Sequence, residues 1–278
     1  SDGRRCLKVR CQRKRGKSKG IVAAAREFEP HLIGIACSYS ISEADALRVA
    51  SLMKHECSDS VPVVLGGPHA SVSAGRLLTS PFVDYVVVGE GERTFTELCG
   101  ALDRGGALSG VDGLLLKGRD GSIEGNPHRE RISDLDSLPL PRRDLLPMEA
   151  YNRIDRAGGW VKDMRLPKTC MVTSRGCPGD CIFCAIRCTW GRKWTARSAE
   201  KVVDEMEMLK EEYGIREVNF LDDSISVSRR RMLEICDLIT ERRLNMKWVP
   251  SSGVQVRTLD EEMLKAMKRS GCYRLSLG

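Results

Sequence analysis

Between Leu32 and Gly105 short apolar runs of strand length alternate with amphipathic runs of helix length. LIGIACS (32–38), VPVVLGG (61–67) and VDYVVVGEGE (83–92) are rich in Val, Ile and Leu. Each is followed by a helical pattern: SEADALRVASLMK with Ser42 as its expected N-cap, SVSAGRLLTS, and RTFTELCGALDRGG closed by glycine. Continuous apolar strands separated by helices require a parallel sheet covered on both faces. In such sheets ligands bind outside the carboxyl ends of the strands. The loops there read CSYS, GGPHAS and GEGE, and their glycines permit close backbone approach to a large ligand or simply tight turns. GLLLKGRDGSIEG (113–125) is expected to form a hairpin turning at Asp120-Gly121.

Pro139, Pro141 and Pro147 in ISDLDSLPLPRRDLLPMEAY (132–151) forbid a regular helix or a central strand, which marks a linker. A second alternation begins at Lys168. The expected strands are KTCMVTSRG, EVNFLDD, KWVPSSGVQV and YRLSLG. The helices between them are SAEKVVDEMEMLKEEYG, SRRRMLEICDLITERR capped by Ser228, and TLDEEMLKAMKRSG with a capping box from Thr258 and Glu261. A parallel barrel cannot close on four strands, so either the chain is a fragment, which is the favoured expectation, or this half is an open sheet.

The net charge of +7 is concentrated in RRCLKVRCQRKRGKSKG (4–20). Such a run reads as a solvated tail, and nucleic acid is not expected as a partner. No apolar run is long enough to span a bilayer. Twelve cysteines in a chain large enough to bury a core point to a reducing, cytoplasmic setting with some thiols on metal.

Three of those cysteines lie within TSRGCPGDCIFCAI (173–186), spaced C-x3-C-x2-C at Cys177, Cys181 and Cys184. Clustered thiolates suit zinc or an iron–sulfur cluster. Cys188 could complete a four-thiolate zinc site, whereas three cysteines on one loop leave one metal position open.

The motif, with an aromatic before its third cysteine and at the end of a first strand, resembles the signature of radical S-adenosylmethionine enzymes. NFLDDSISVSRRRMLEICDLI and LDEEMLKAMKRSGCYRLSLG resemble the subgroup with an N-terminal cobalamin-binding domain, as do VVLGGPHAS and VDYVVVGEGERTF. The resemblance implies an α/β chain truncated at both ends. Residues 1–130 would form a Rossmann/flavodoxin-like cobalamin (B12)-binding domain that includes the basic tail 1–20. Residues 131–164 would form a Pro-rich linker, and 165–278 the first four βα units of a radical-SAM TIM-type barrel. A cobalamin domain should have five strands, and residues 1–20 are too basic to supply the missing two.

The resemblance also implies roles. Cys177, Cys181 and Cys184 would hold three irons of a [4Fe-4S] cluster, with S-adenosylmethionine on the fourth. Phe183 would lie near the adenine. Asp222 or Asp223 would meet the methionine amine, and Ser252 would face the same ligand. Trp190 and Trp194 would wall the site or simply pack. Ser38, Ser40, Gly66, Gly67, His69, Ser71, Gly89, Glu90, Gly91 and Glu92 would border cobalamin, with His69 on a fourth-strand loop holding the loop or touching the nucleotide tail. None of the four histidines sits in the axial pattern D-x-H-x-x-G.

The function implied is a cobalamin-dependent radical enzyme acting on an unactivated carbon, by methyl transfer or anaerobic cyclisation. Its partners would be a small-molecule substrate (porphyrin-like, lipid or natural product) and an electron donor such as flavodoxin or ferredoxin. The alternatives are a radical enzyme with a degenerate cobalamin domain, or a non-catalytic Cys-rich zinc or iron–sulfur binding module.

Overall fold

A computed structural model describes residues 7–8, 18–118, 120–156 and 165–278. The chain divides into two units, Ser1–Ile132 and Ser133–Gly278.

The first unit is built on a six-stranded sheet of order β1-β2-β3-β4-β5-β6. Its strands are β1 (Leu7–Lys8), β2 (Ile33–Ala36), β3 (Val63–Gly66), β4 (Tyr85–Val87), β5 (Leu114–Lys117) and β6 (Ile123–Gly125). The first four run parallel, with Gly34 opposite Val64 and Leu65 opposite Val86. β5 and β6 are the expected antiparallel hairpin. The helices are α1 (Ser18–Phe28), α2 (Glu43–Glu56), α3 (Pro68–Val72), α4 (Ala74–Leu78) and α5 (Gly91–Arg104). The two-residue side-chain period sends Val63 and Leu65 into one core with Ala50, Met53 and Leu77. Val64 goes to the other, with Val87, Leu98 and Leu114. Both faces of the sheet are therefore covered, as the continuous apolar strands required.

Three details differ from expectation. β1 lies inside the basic run, because an edge ladder is made by backbone groups and needs no apolar side chain. Most of the remainder of the expected tail, residues 1–6 and 9–17, lies outside the described residues. Ser42 precedes α2 but makes no side-chain cap. His69 sits on α3, after the third strand and not the fourth.

The second unit has a three-stranded parallel sheet, β11-β10-β7, formed by β7 (Lys168–Met171), β10 (Glu217–Phe220) and β11 (Lys247–Pro250). A small ladder joins β8 (Ser174–Arg175) to β9 (Thr195–Ala196). The helices are α6 (Met148–Arg156), α7 (Ile186–Trp190), α8 (Ala199–Tyr213), α9 (Arg229–Glu241) and α10 (Glu261–Arg269). One core gathers Met171, Val202, Met206, Phe220, Ile235 and Trp248. α8 starts on a Ser198 cap and stops at Gly214, and α9 starts on Ser228. α10 is capped by Asp260, whose carboxylate accepts the Met263 N–H at 2.8 Å. The expected box of Thr258 and Glu261 is not formed, since Thr258 lies in a preceding 3-10 turn.

YRLSLG does not form a fourth strand. It makes one isolated bridge, Val254 to Leu277, and a second, Trp248 to Cys272, lies just before it. The described sheet is open, and no closed barrel is formed. The Pro-rich segment expected as a linker belongs, in its described part, to the second unit, and residues 157–164 lie outside the described residues. It is fastened there by buried Arg143, which donates to the Cys170 carbonyl at 3.1 Å and pairs with buried Glu205 at 2.8 Å.

KTCMVTSRG was expected as one strand and breaks into β7 and β8. The cause is Asp222, only 2% exposed. Its carboxylate accepts the Thr173 N–H at 2.8 Å, the Thr173 hydroxyl at 2.6 Å and the Ser174 hydroxyl at 2.5 Å. Burial pushes this carboxyl up, while the bonds from Ser174 and Thr173 and the charge of buried Arg231 pull it back. Asp222→Ala leaves three donors without their acceptor and removes the strongest of the carboxylates that offset the buried Arg231 charge. It should lower the unfolding free energy by about 3–5 kcal/mol, as removing one member of a buried charged network does. Asp222→Asn, which keeps one acceptor, should cost about 1–3 kcal/mol. Urea unfolding followed by circular dichroism measures both, and an alanine variant within about 1 kcal/mol of the parent contradicts this account.

Candidate functional site

In the second unit the site begins where β8 ends. Gly176 has φ +83°, and a Cβ there would lie 2.1 Å from the Lys193 carbonyl oxygen, so only glycine fits. Its N–H donates to Asp223 at 2.9 Å. The chain then leaves the sheet as a loop bearing Cys177, Cys181 and Cys184 and re-enters structure at α7. Cys177 and Cys184 are partly buried and Cys181 is exposed, and all three are free thiols. The Cys184 N–H donates to the Cys181 carbonyl at 3.1 Å, which makes the C-x2-C step a tight turn. The Cys177 sulfur accepts the Gly179 N–H at 3.4 Å and the Gln255 amide at 3.1 Å.

Three free thiols on one loop, one sulfur already receiving N–H donors, are a donor set that fits a thiolate-held iron–sulfur cluster. Among the described residues no three His, Cys, Asp or Glu side chains are yet gathered around one point. Ile182 and Phe183 on the same loop are 96% and 87% exposed, so Phe183 is not a core residue. Cys188, in the first turn of α7, is exposed. Asp180 is held below the usual carboxylate range by hydrogen bonding to Arg192, with Arg187 adding to it.

The two adjacent carboxylates separate cleanly. Asp222 is enclosed and committed to Thr173 and Ser174. Asp223 is partly exposed and makes one hydrogen bond among the described residues, to the Gly176 N–H beside the first cysteine. Burial pushes the Asp223 carboxyl up. Ser252 is exposed on the turn after β11. Trp194 packs, donating to the Ser224 carbonyl at 3.1 Å, and Trp190 lies under the Arg175 guanidinium at 5.6 Å.

Other thiols are of a different kind. Cys37, Cys236 and Cys272 are buried, and desolvation pushes Cys236 up to about 11 and Cys272 up to about 12.

In the first unit the loops after β2, β3 and β4 are tied to one another. Gly67 has φ +110°, and a Cβ there would meet the Cys37 carbonyl at 3.1 Å. The Ala70 N–H donates to that carbonyl at 3.1 Å. Ser71 donates its hydroxyl to the Gly67 carbonyl at 3.0 Å and accepts the Gly89 N–H at 2.9 Å. His69, 6% exposed, meets Ser40 at 3.0 Å through Nδ1 and Glu43 at 2.5 Å through Nε2. Arg76 closes the network on Glu43 at 2.6 Å. Both ring nitrogens being engaged, His69 holds loops and is not poised as a metal ligand.

Glu90 is likewise part of the frame: it is buried, and its carboxylate accepts the Ile132 N–H at 2.6 Å. Ser38, Gly66 and Gly91 are partly buried, and Gly89 and Glu92 are exposed. Along this edge Tyr39, Ile41 and Val72 present large apolar side chains, 71%, 76% and 55% exposed. An apolar, glycine-bordered sheet edge suits a broad flat ligand.

Residue identity along the chain gave no sign of Gln255, Glu43, Arg76 or Thr173. Their partners lie 26 to 78 residues away, at distances no motif spacing encodes.

Comparison with known proteins agrees with both halves. A B12 binding domain family matches residues 7–99, and the Radical SAM superfamily matches residues 171–278. The chain is 37% identical over 259 residues to an uncharacterized methyltransferase, PH0819, of Pyrococcus horikoshii, covering 93% of this chain and 53% of that protein. It is 30% identical over 281 residues to the cytidylyl-2-hydroxyethylphosphonate methyltransferase of Streptomyces wedmorensis, covering 92% and 51%. The chain thus spans about half the length of these relatives. Its fold resembles the radical S-adenosylmethionine methyltransferase TsrM of Kitasatospora setae, solved with cobalamin and a [4Fe-4S] cluster. The TM-score is 0.74 at 21% identity, covering 95% of this chain and 52% of that one. With a B12 binding domain ahead of a radical SAM domain, this chain belongs to the radical S-adenosylmethionine enzymes that carry an N-terminal cobalamin-binding domain.

Proposed function

We propose that this chain supplies the cofactor-binding part of a cobalamin-dependent radical enzyme that transfers a methyl group to an unactivated carbon of a small molecule. The observation that carries the reading is the loop of three free thiols at the carboxyl end of a parallel sheet. Cys177, Cys181 and Cys184 would hold a [4Fe-4S] cluster. When bound, the cluster supplies the electron that cleaves S-adenosylmethionine to a carbon radical, chemistry that belongs to the cofactors. Gly176 sets the exit angle of the loop. Asp223 holds the Gly176 amide and offers a carboxylate to the methionine ammonium, and Phe183 offers a face to the adenine. The exposed Ser252 is the weaker candidate contact.

Cobalamin would lie on the edge bordered by Ser38, Ser40, Gly66, Gly67, Gly89, Gly91 and Glu92, against Tyr39, Ile41 and Val72. His69, Ser71 and Glu90 would hold that edge in shape. Methyl transfer is favoured over cyclisation because both relatives described above are named methyltransferases. The domain bounds follow the same reading: a cobalamin domain over 1–130, a Pro-rich segment over 131–164 and the radical SAM core from 165. A flavodoxin or ferredoxin would deliver the electron. Ten cysteines are free thiols among the described residues, which suits a reducing cytoplasm, and no described helix is long and apolar enough to cross a membrane.

Anaerobic reconstitution should load about four irons and four sulfides per chain. Cys177→Ala, Cys181→Ala and Cys184→Ala should each abolish loading, and Cys188→Ala should not. Equal loss in Cys188→Ala would instead mean a four-thiolate site and end the radical reading.

Asp223→Asn should weaken S-adenosylmethionine binding by roughly tenfold or more, since a charge-assisted bond is worth about 1.5–3 kcal/mol, and leave the iron content intact. Calorimetric titration of the reconstituted protein measures this, and unchanged affinity rejects the assignment.

Gly67→Trp should remove cobalamin from the first unit, read by the loss of its visible absorbance after gel filtration. Iron loading should be untouched, and retention of cobalamin would exclude the proposed edge.

A further inference from the structure

Gln255 lies beyond β11, in the turn held by the Val254 N–H to the Ser276 carbonyl at 2.9 Å and the Val256 N–H to the Gly278 carbonyl at 3.3 Å. Its partly buried side chain touches two groups. Nε2 donates to the Cys177 sulfur at 3.1 Å, and Oε1 accepts from Nε of Arg257 at 2.8 Å. The second contact fixes the sense of the first. A guanidinium has donors only, so the amide oxygen must face Arg257 and the NH2 group must face the sulfur. Gly179 completes the packing: a Cβ there would lie 3.3 Å from the Cys177 sulfur and 3.4 Å from the Gln255 nitrogen. Among the described residues neither Cys181 nor Cys184 receives a side-chain donor at its sulfur. The three thiols are therefore unequal.

We propose that Gln255 is a positioning residue for Cys177. Oriented by Arg257, it fixes this sulfur and, when a cluster is bound, raises the cluster's reduction potential through its N–H···S bond. The inference rests on the iron–sulfur reading of the three cysteines. Its physical basis is that an added electron increases the negative charge on the thiolate sulfurs, so a donor aimed at one of them stabilises the reduced form more than the oxidised form. Hydrogen bonds to sulfur are among the protein's means of setting such potentials.

The test is a redox titration of the reconstituted protein followed by electron paramagnetic resonance, with iron and sulfide counted in each sample. Gln255→Leu removes the donor, and Gln255→Glu keeps the length and the Arg257 partner while offering the sulfur no amide hydrogens. Both should load iron as the parent does. Both should disfavour reduction about tenfold, a fall of about 59 mV for a one-electron couple, with the larger fall in Gln255→Glu. Arg257→Met, which frees the amide to turn, should give a smaller fall of the same sign. Parental loading with an unmoved potential in both Gln255 variants overturns the inference and leaves the cluster intact as a reading. Loss of iron in Gln255→Leu alongside full loading in Gln255→Glu, with no fall in potential, reduces Gln255 to a packing residue and also overturns it. A parent chain that loads no cluster removes the iron–sulfur reading itself, and the inference with it.

Discussion

A single enclosed carboxylate decides where the second unit stops being a sheet and becomes a site. Asp222 takes the Thr173 amide that would otherwise extend the β7 ladder, and holds the Thr173 and Ser174 hydroxyls with it. The strand therefore bends four residues before Cys177. Its neighbour Asp223 then fixes Gly176, in a conformation that only glycine reaches without strain. The cysteine loop thus leaves the sheet from a corner that Asp222 and Asp223 hold by hydrogen bonds.

The first unit reaches the same end by different means. One buried carboxylate, Glu90, holds the Ile132 amide there, but it does not tie the loops together. Side-chain bonds run from loop to loop, through His69 between Ser40 and Glu43 and through Ser71 between Gly67 and Gly89. Each loop is short, and its backbone groups are met by its neighbour. The large apolar residues Tyr39, Ile41 and Val72 are left facing outward. Of the polar groups, His69 and Glu90 are turned inward and hydrogen-bonded.

How much of this was legible follows from where each signal lives. The parallel strands were readable because Val63, Val64 and Leu65 are all apolar, and both faces of β3 are buried. The hairpin was readable from Asp120-Gly121, and the cysteine loop from spacing alone. β1 was not, since its two residues join the sheet through backbone groups while their side chains read as part of a basic run. YRLSLG was over-read as a strand: its alternation suits one, but a single isolated bridge, at Leu277, reaches it. Thr258 and Glu261 made a convincing capping pair by spacing, yet Asp260 stands two residues nearer the helix and takes the role. Asp222 and Asp223 are adjacent and chemically identical, and only their three-dimensional partners show that one is enclosed in the frame while the other lies half-buried on the Gly176 amide beside the first cysteine.

Burial has also sorted the thiols by reactivity. Cys37, Cys236 and Cys272 lie inside the two cores, with Cys236 and Cys272 pushed far above neutral pH, whereas Cys170, Cys181 and Cys188 lie at the surface. Among the described residues a thiol reagent at neutral pH therefore meets accessible thiols, those of the cysteine loop with them, and buried ones that answer only when the cores open, with Cys57 and Cys99 between the two. Mass tagging before and after denaturation reads them separately. Read at Cys177, Cys181 and Cys184, the first tag reports the state of the cysteine loop, and the second, read at the buried thiols, reports whether the protein was folded when that state was recorded.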